Sequence, residues 1–118
     1  MTIEEQLYTA LQSLVAGRVF PDVAEQNTAL PYITYQAVGG EPVNFLTGEK
    51  PGSTNVRMQV NVWAATRIGA STLGAQVENA LRDTKSFQTE VLTGRVSTYD
   101  ETDTVKYRGT MQDFSINY

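Results

Sequence analysis

The chain contains no cysteine and no histidine. Without cysteine there is no disulfide, no thiol nucleophile and no zinc site built on Cys. Without histidine the commonest general base is missing, and so is the usual partner of a Ser or Cys nucleophile. No apolar run approaches the about 20 residues needed to span a bilayer. The opening MTIEEQ is acidic and lacks the basic-then-apolar pattern of a secretory signal. These absences predict a protein that starts and stays in a cytoplasm, with no cofactor, no metal site and no membrane contact.

Positive charge is also scarce. Nine Lys and Arg face thirteen Asp and Glu, for a formal net charge of −4. A free nucleic-acid binder normally carries a basic balance or patch, because phosphate contacts dominate its affinity. Arg57, Arg67, Arg82, Arg95 and Arg108 are instead spread out singly. Nucleic acid is therefore not the leading partner.

What remains is an ordinary globular mix, 41% apolar and 19% charged over 118 residues, which predicts one domain spanning 1–118 with one modest core. The clearest pattern is NVRMQVNVWA, residues 55–64. Val56, Met58, Val60, Val62 and Ala64 alternate with Asn55, Arg57, Gln59, Asn61 and Trp63. Period two predicts a strand with one buried face. The other face is polar and ends in the only tryptophan of the chain.

Helical spacing appears twice. Thr2-Ile3-Glu4-Glu5 reads as a capping box. Ile3, Leu7, Leu11, Leu14 and Val15 follow as an apolar stripe, which Gly17 is suited to end with positive φ. Thr66 predicts the cap of a second helix, with Ala70, Leu73, Val77, Ala80 and Leu81 as its stripe. Gly69 and Gly74 weaken that helix by about 1 kcal/mol each relative to Ala, and would let it lie close to a sheet.

Further strands are expected from RVFP as a short edge, from PYITYQAV (31–38), and from FQTEVLTGRVSTY and TVKYRGTMQDFSINY as a closing hairpin turned at Asp100–Asp103. A phase change near Gln112-Asp113 suggests a β-bulge or a change of partner. The resulting order, α-β-β-α-β-β, predicts an α+β two-layer sandwich: a mainly antiparallel four- to five-stranded sheet with two helices on one face.

Residues 39–54, GGEPVNFLTGEKPGST, have no convincing period. A loop this long in a compact domain is usually functional or mobile, and Val43, Phe45 and Leu46 are unusual residues for a solvated one. A short hairpin and a partner contact both fit.

No motif carries chemistry. GEKPGST (48–54) misses the spacing of a phosphate loop and precedes a strand where a helix is required. GASTLG (69–74) shares only a glycine spacing with such loops. Asp100, Glu101 and Asp103 could offer oxygens to a hard cation, but the calcium-loop pattern is missing and a solvated turn accounts for them. A catalytic serine would need Lys50, Lys85 or Lys106 as its base, and none sits in a context that suggests it. Trp63 has two readings: a cover for the sheet edge, or an interface anchor together with Arg57 on its own face and Phe45 and Leu46 in the preceding loop.

Taken in order, the N-terminal helix, GRVFPDVAEQNTALPYITYQAVGG, VNVWAATRIGASTLGAQVENALRD and the terminal RGTMQDFSINY resemble the small tail-completion proteins of long-tailed bacteriophages and prophages, the tail terminator type. Gly17-Arg18-Val19-Phe20, Leu30-Pro31-Tyr32-Ile33, Val62-Trp63-Ala64 and Gln112-Asp113-Phe114 carry the resemblance. It implies a structural virion protein rather than an enzyme. It implies self-association into a ring, typically a hexamer, on the head-proximal end of the tail tube. The partners implied are the tube protein, a head-side connector protein, and DNA only as cargo passing through the channel. The implied location is the host cytoplasm during assembly and then the neck region of the virion.

On that reading the polar face of residues 55–64 meets a neighbouring subunit or the channel. The interface residues are then expected to be Phe45, Leu46, Arg57, Gln59, Asn61 and Trp63. Two other classes remain open: another connector or neck protein of the same phage module, and a small-molecule-binding α+β domain, which would need a deep pocket.

Overall fold

The computed structural model describes residues 2–42, 44–48 and 52–118. Val43 and Lys50, singled out above, lie outside the described residues.

Helix α1 (Ile3–Leu11) begins as its sequence predicts. The Thr2 hydroxyl accepts from the Glu5 amide at 3.2 Å, and the Glu5 carboxylate accepts from the Thr2 amide at 3.4 Å. Ile3, Leu7 and Leu11 are buried, and a 3-10 turn over Gln12–Leu14 carries Val15 into the same core. Gly17, at φ +82°, then redirects the chain, and its amide donates to the Gln12 carbonyl at 2.8 Å.

Six strands follow: β1 (Val19–Pro21), β2 (Tyr32–Ala37), β3 (Asn55–Ala64), β4 (Gln88–Val91), β5 (Val96–Glu101) and β6 (Lys106–Asn117). They form one mixed sheet in the order β1-β2-β3-β6-β4, with β5 also paired to β6. β1 runs parallel to β2, and every other pair is antiparallel. The α+β class and the two helices agree with the sequence reading, while the strand count among the described residues rises to six.

The extra strand arises where FQTEVLTGRVSTY was expected to be continuous. Val91 pairs with Phe114 and Val96 with Met111, so Leu92–Arg95 detour opposite only Gln112 and Asp113. The detour is pinned by three bonds. The Leu92 amide donates to the Asp113 carbonyl at 3.0 Å, the Asp113 amide to the Thr93 hydroxyl at 3.0 Å, and Gln112 Nε2 to the Thr93 carbonyl at 3.0 Å. Of the two expectations for Gln112-Asp113 the change of partner is observed, since β6 pairs with β5 up to Met111 and with β4 from Phe114 onward, while its own phase does not slip: Thr110, Gln112, Phe114 and Ile116 all face inward. Polar residues at 110 and 112, with Tyr107 and Met111 on the other face, gave the false appearance of a slip. Asp100 and Glu101 belong to β5 rather than to the turn, which closes at Thr102–Val105, where the Thr102 amide donates to the Val105 carbonyl at 2.8 Å.

The helices cover one face of the sheet. Val56, Met58, Val60, Val62 and Ala64 of β3 are buried beneath them together with Phe114 and Ile116. Helix α2 (Arg67–Asp83) is capped by Thr66, whose hydroxyl accepts from the Gly69 amide at 3.0 Å. Gly74 brings α2 against β6, for a Cβ there would stand 2.7 Å from Thr110 Oγ1 and 2.9 Å from Arg95 Cδ. Gly69 instead sits over its own cap, 2.9 Å from Thr66 Oγ1 by the same measure.

Among the described residues of 39–54 none is helical or in a strand, and all are exposed. The base of the segment is fixed to the sheet. The Arg57 amide donates to the Gly39 carbonyl at 2.7 Å, and Thr54 and Tyr118 exchange backbone bonds of 2.7 and 2.9 Å. The molecule measures 57 × 24 × 22 Å.

Candidate functional site

The sheet face away from the helices carries the polar half of each strand. β3 contributes Asn55, Arg57, Gln59, Asn61 and Trp63 to it. Register places Tyr32, Thr34 and Gln36 of β2 on one side of this row. Gly109, Met111, Asp113, Ser115 and Asn117 of β6 stand on the other.

At one end, the Asn55 amide group donates to the Ser115 hydroxyl at 2.7 Å and to Asn117 Oδ1 at 3.0 Å. Arg57 Nη2 is 2.7 Å from Asp113 Oδ2, with Nε donating to the same oxygen at 2.9 Å. Arg57 is thus held to its own sheet while remaining partly exposed. As an exposed pair it contributes at most about 1 kcal/mol.

At the other end the face is aromatic. Trp63 meets Tyr107 edge to face, with ring centroids 6.4 Å apart, and pairs in register with Tyr32 of β2. Phe20 and Tyr32 make a second edge contact at 6.4 Å. Gly109 allows this packing, since a Cβ there would stand 2.8 Å from Trp63 Cε3 and would strike the Val62 carbonyl.

Above this aromatic end the 22–28 loop and the 102–105 turn rise on two sides, leaving an open groove of about 700 Å³. Its floor is Tyr32, Thr34, Asn61, Trp63 and Tyr107. Asp22, Glu25, Asp100 and Asp103 stand on its walls, and among the described residues no Lys or Arg lines it. Burial, then Tyr107 and Asp100, raise the Tyr32 phenol above its ordinary value, so the ring stays neutral at physiological pH.

Of the six residues expected to form a site, the structure brings Asn61 and Trp63 together in the groove. Arg57 and Gln59 lie farther along the same face. Phe45 and Leu46 are on the 39–54 segment, the first about half exposed and the second fully so. The groove itself was not legible in sequence. Its walls come from residues 22–28 and 100–105, which are brought together only by the pairing of β2, β3 and β6. Sequence alone accounts for Asp100 and Asp103 as a solvated turn. Among the described residues no three acidic side chains come close enough to hold a metal ion.

A third cluster lies on the helix side. Glu78 Oε1 accepts from the buried Gln112 Nε2 at 2.8 Å and from Arg95 Nη1 at 3.1 Å, and Glu78 Oε2 is 3.4 Å from Arg82 Nε. The Gln112 bond, followed by Arg82 and Arg95 and opposed by burial, holds the Glu78 carboxyl below its ordinary value. This cluster ties α2 to the Leu92–Arg95 detour and has the character of a structural clamp.

None of these arrangements sets a nucleophile beside a base. The geometry offers surfaces: a polar sheet face, an acidic aromatic groove and an apolar pair on an exposed segment. The curated proteins compared with this sequence include no significant match. A family profile described as Tail completion protein gp17 matches residues 6–116, from α1 to the end of β6. With all but the ends of the chain inside that match, the chain belongs to this phage tail completion protein family.

Proposed function

We propose that the protein caps the head-proximal end of a phage tail tube, ends tube polymerisation and offers the surface to which a head-side connector binds. The observation that carries the reading is the family match over residues 6–116. The surfaces are consistent with it. A closed ring needs heterologous contacts, in which two different patches of one chain meet. The part of the polar face around Arg57 and Gln59, beyond the groove that holds Asn61 and Trp63, is one such patch, and the exposed pair Phe45 and Leu46 is the other. An exposed apolar pair on an extended segment loses water-exposed area when it docks, which favours association.

In a ring of six, copies at −4 each carry a formal −24. A channel lined by part of that negative charge would repel DNA and let it pass without adhering. The experiment is electron microscopy of tails made without this protein, before and after its addition. Capped tails of uniform length support the proposal. Tails that continue to polymerise in its presence contradict it.

A further inference from the structure

We infer that the groove over Trp63 receives a lysine- or arginine-bearing segment of a partner protein. Four carboxylates, Asp22, Glu25, Asp100 and Asp103, stand around it, and no Lys or Arg lines it among the described residues. None of the four makes an ion pair within the chain among the described residues. Unneutralised carboxylates around a concave surface concentrate a positive potential partner there.

The floor supplies what a bare acidic cluster lacks. Tyr32, Trp63 and Tyr107 present aromatic surface, which attracts Lys and more often Arg side chains through the ring quadrupole. Thr34, only 6% exposed, lines the groove, and its side chain makes no hydrogen bond to the described residues. A hydroxyl with no partner among the described residues has a donor and an acceptor available to an incoming group.

The shape favours a segment over a small ion. The groove crosses β2, β3 and β6, which at about 4.8 Å per strand is roughly 10 Å of floor. Nucleic acid is disfavoured, because the same carboxylates repel phosphate.

The inference goes beyond tail capping and rests on the groove's chemistry alone, so its failure would leave the capping assay unaffected. Trp63 is the single tryptophan and reports occupancy directly. Its emission is followed while end-blocked oligo-arginine is added at low salt, with oligo-glutamate and spermidine as comparisons. A saturable change with oligo-arginine is expected, weakened by salt, absent with oligo-glutamate and much weaker with spermidine.

The double variant Asp22→Asn, Asp100→Asn should weaken binding by about tenfold or more. Asn tolerates the positive φ of +64° at position 22, and unchanged circular dichroism verifies that the variant is folded. The variant Glu4→Gln, Glu90→Gln removes equal charge from exposed sites outside the groove and should change binding by about twofold or less. An absent response to oligo-arginine, equal weakening by both variants, or spermidine binding as tightly as the peptide would each overturn the inference.

Discussion

Trp63 and Gly109 face each other across β3 and β6, and the indole occupies the space that any side chain at 109 would need. A Cβ there would lie 2.8 Å from Trp63 Cε3 and 2.7 Å from Thr98 Oγ1. Both the sheet and the groove floor depend on this absence of a side chain. Gly109→Ala should destabilise the protein by about 1–3 kcal/mol, the usual cost of overpacking a filled site. Urea unfolding monitored by Trp63 emission measures it. A loss well below 1 kcal/mol would mean that the strand shifts freely and the ring is not fixed by the glycine.

Gly74 performs the corresponding service on the helix side. Alanine is the better helix former by about 1 kcal/mol, so the exposed expectation for Gly74→Ala is a gain. Here the new methyl meets buried Thr110. Net destabilisation of roughly 1 kcal/mol is expected. Thr110→Ala in the Gly74→Ala background should recover part of it, which a double-mutant cycle detects as coupling.

The Glu78 clamp makes stability depend on pH. Its folded carboxyl titrates below the ordinary 4.5, so the folded state binds fewer protons than the unfolded chain across that interval. The contribution is complete above the unfolded value and disappears as pH falls through the folded one. Denaturant midpoints measured downward from pH 6 should decline around and below 4.5, and Glu78→Gln should flatten that part of the decline. At neutral pH the same variant should cost about 1–2 kcal/mol, from weakened bonds to Gln112 and Arg95. An unchanged pH profile in Glu78→Gln would assign the acid loss to other carboxylates.

The parts of this fold legible in sequence were those whose local signals agree with their surroundings. Thr2 and Thr66 both cap helices, and the alternation of 55–64 is the buried pattern of β3. Within the closing hairpin, whose change of partner at Gln112-Asp113 was legible, the misread parts were the phase of β6 and the break between β4 and β5. Gln112 and Thr110 are polar yet core-facing, because Gln112 bonds to Glu78 and Thr93. Thr110 packs against Gly74. Those partners are distant in sequence, so no periodicity reveals them. For the same reason Asn61 and Trp63 could be selected from one strand, while Asp22, Tyr32 and Tyr107 became a groove only through sheet pairing.

The exposed pair on the 39–54 segment separates assembly from folding. Phe45→Ser with Leu46→Ser removes apolar surface that is about half in water at Phe45 and fully so at Leu46. Its effect on the unfolding midpoint should be within about 0.5 kcal/mol. Thermal unfolding of the purified variant measures this, and a large loss would mean that the segment packs on its own chain.

The most direct test of the tail-capping account is the length distribution, by electron microscopy, of tails assembled without this protein and then supplied with wild type or the Phe45→Ser, Leu46→Ser variant. The account predicts uniform capped tails with wild type and continued elongation with the folded variant. Tails that elongate equally with both would contradict it.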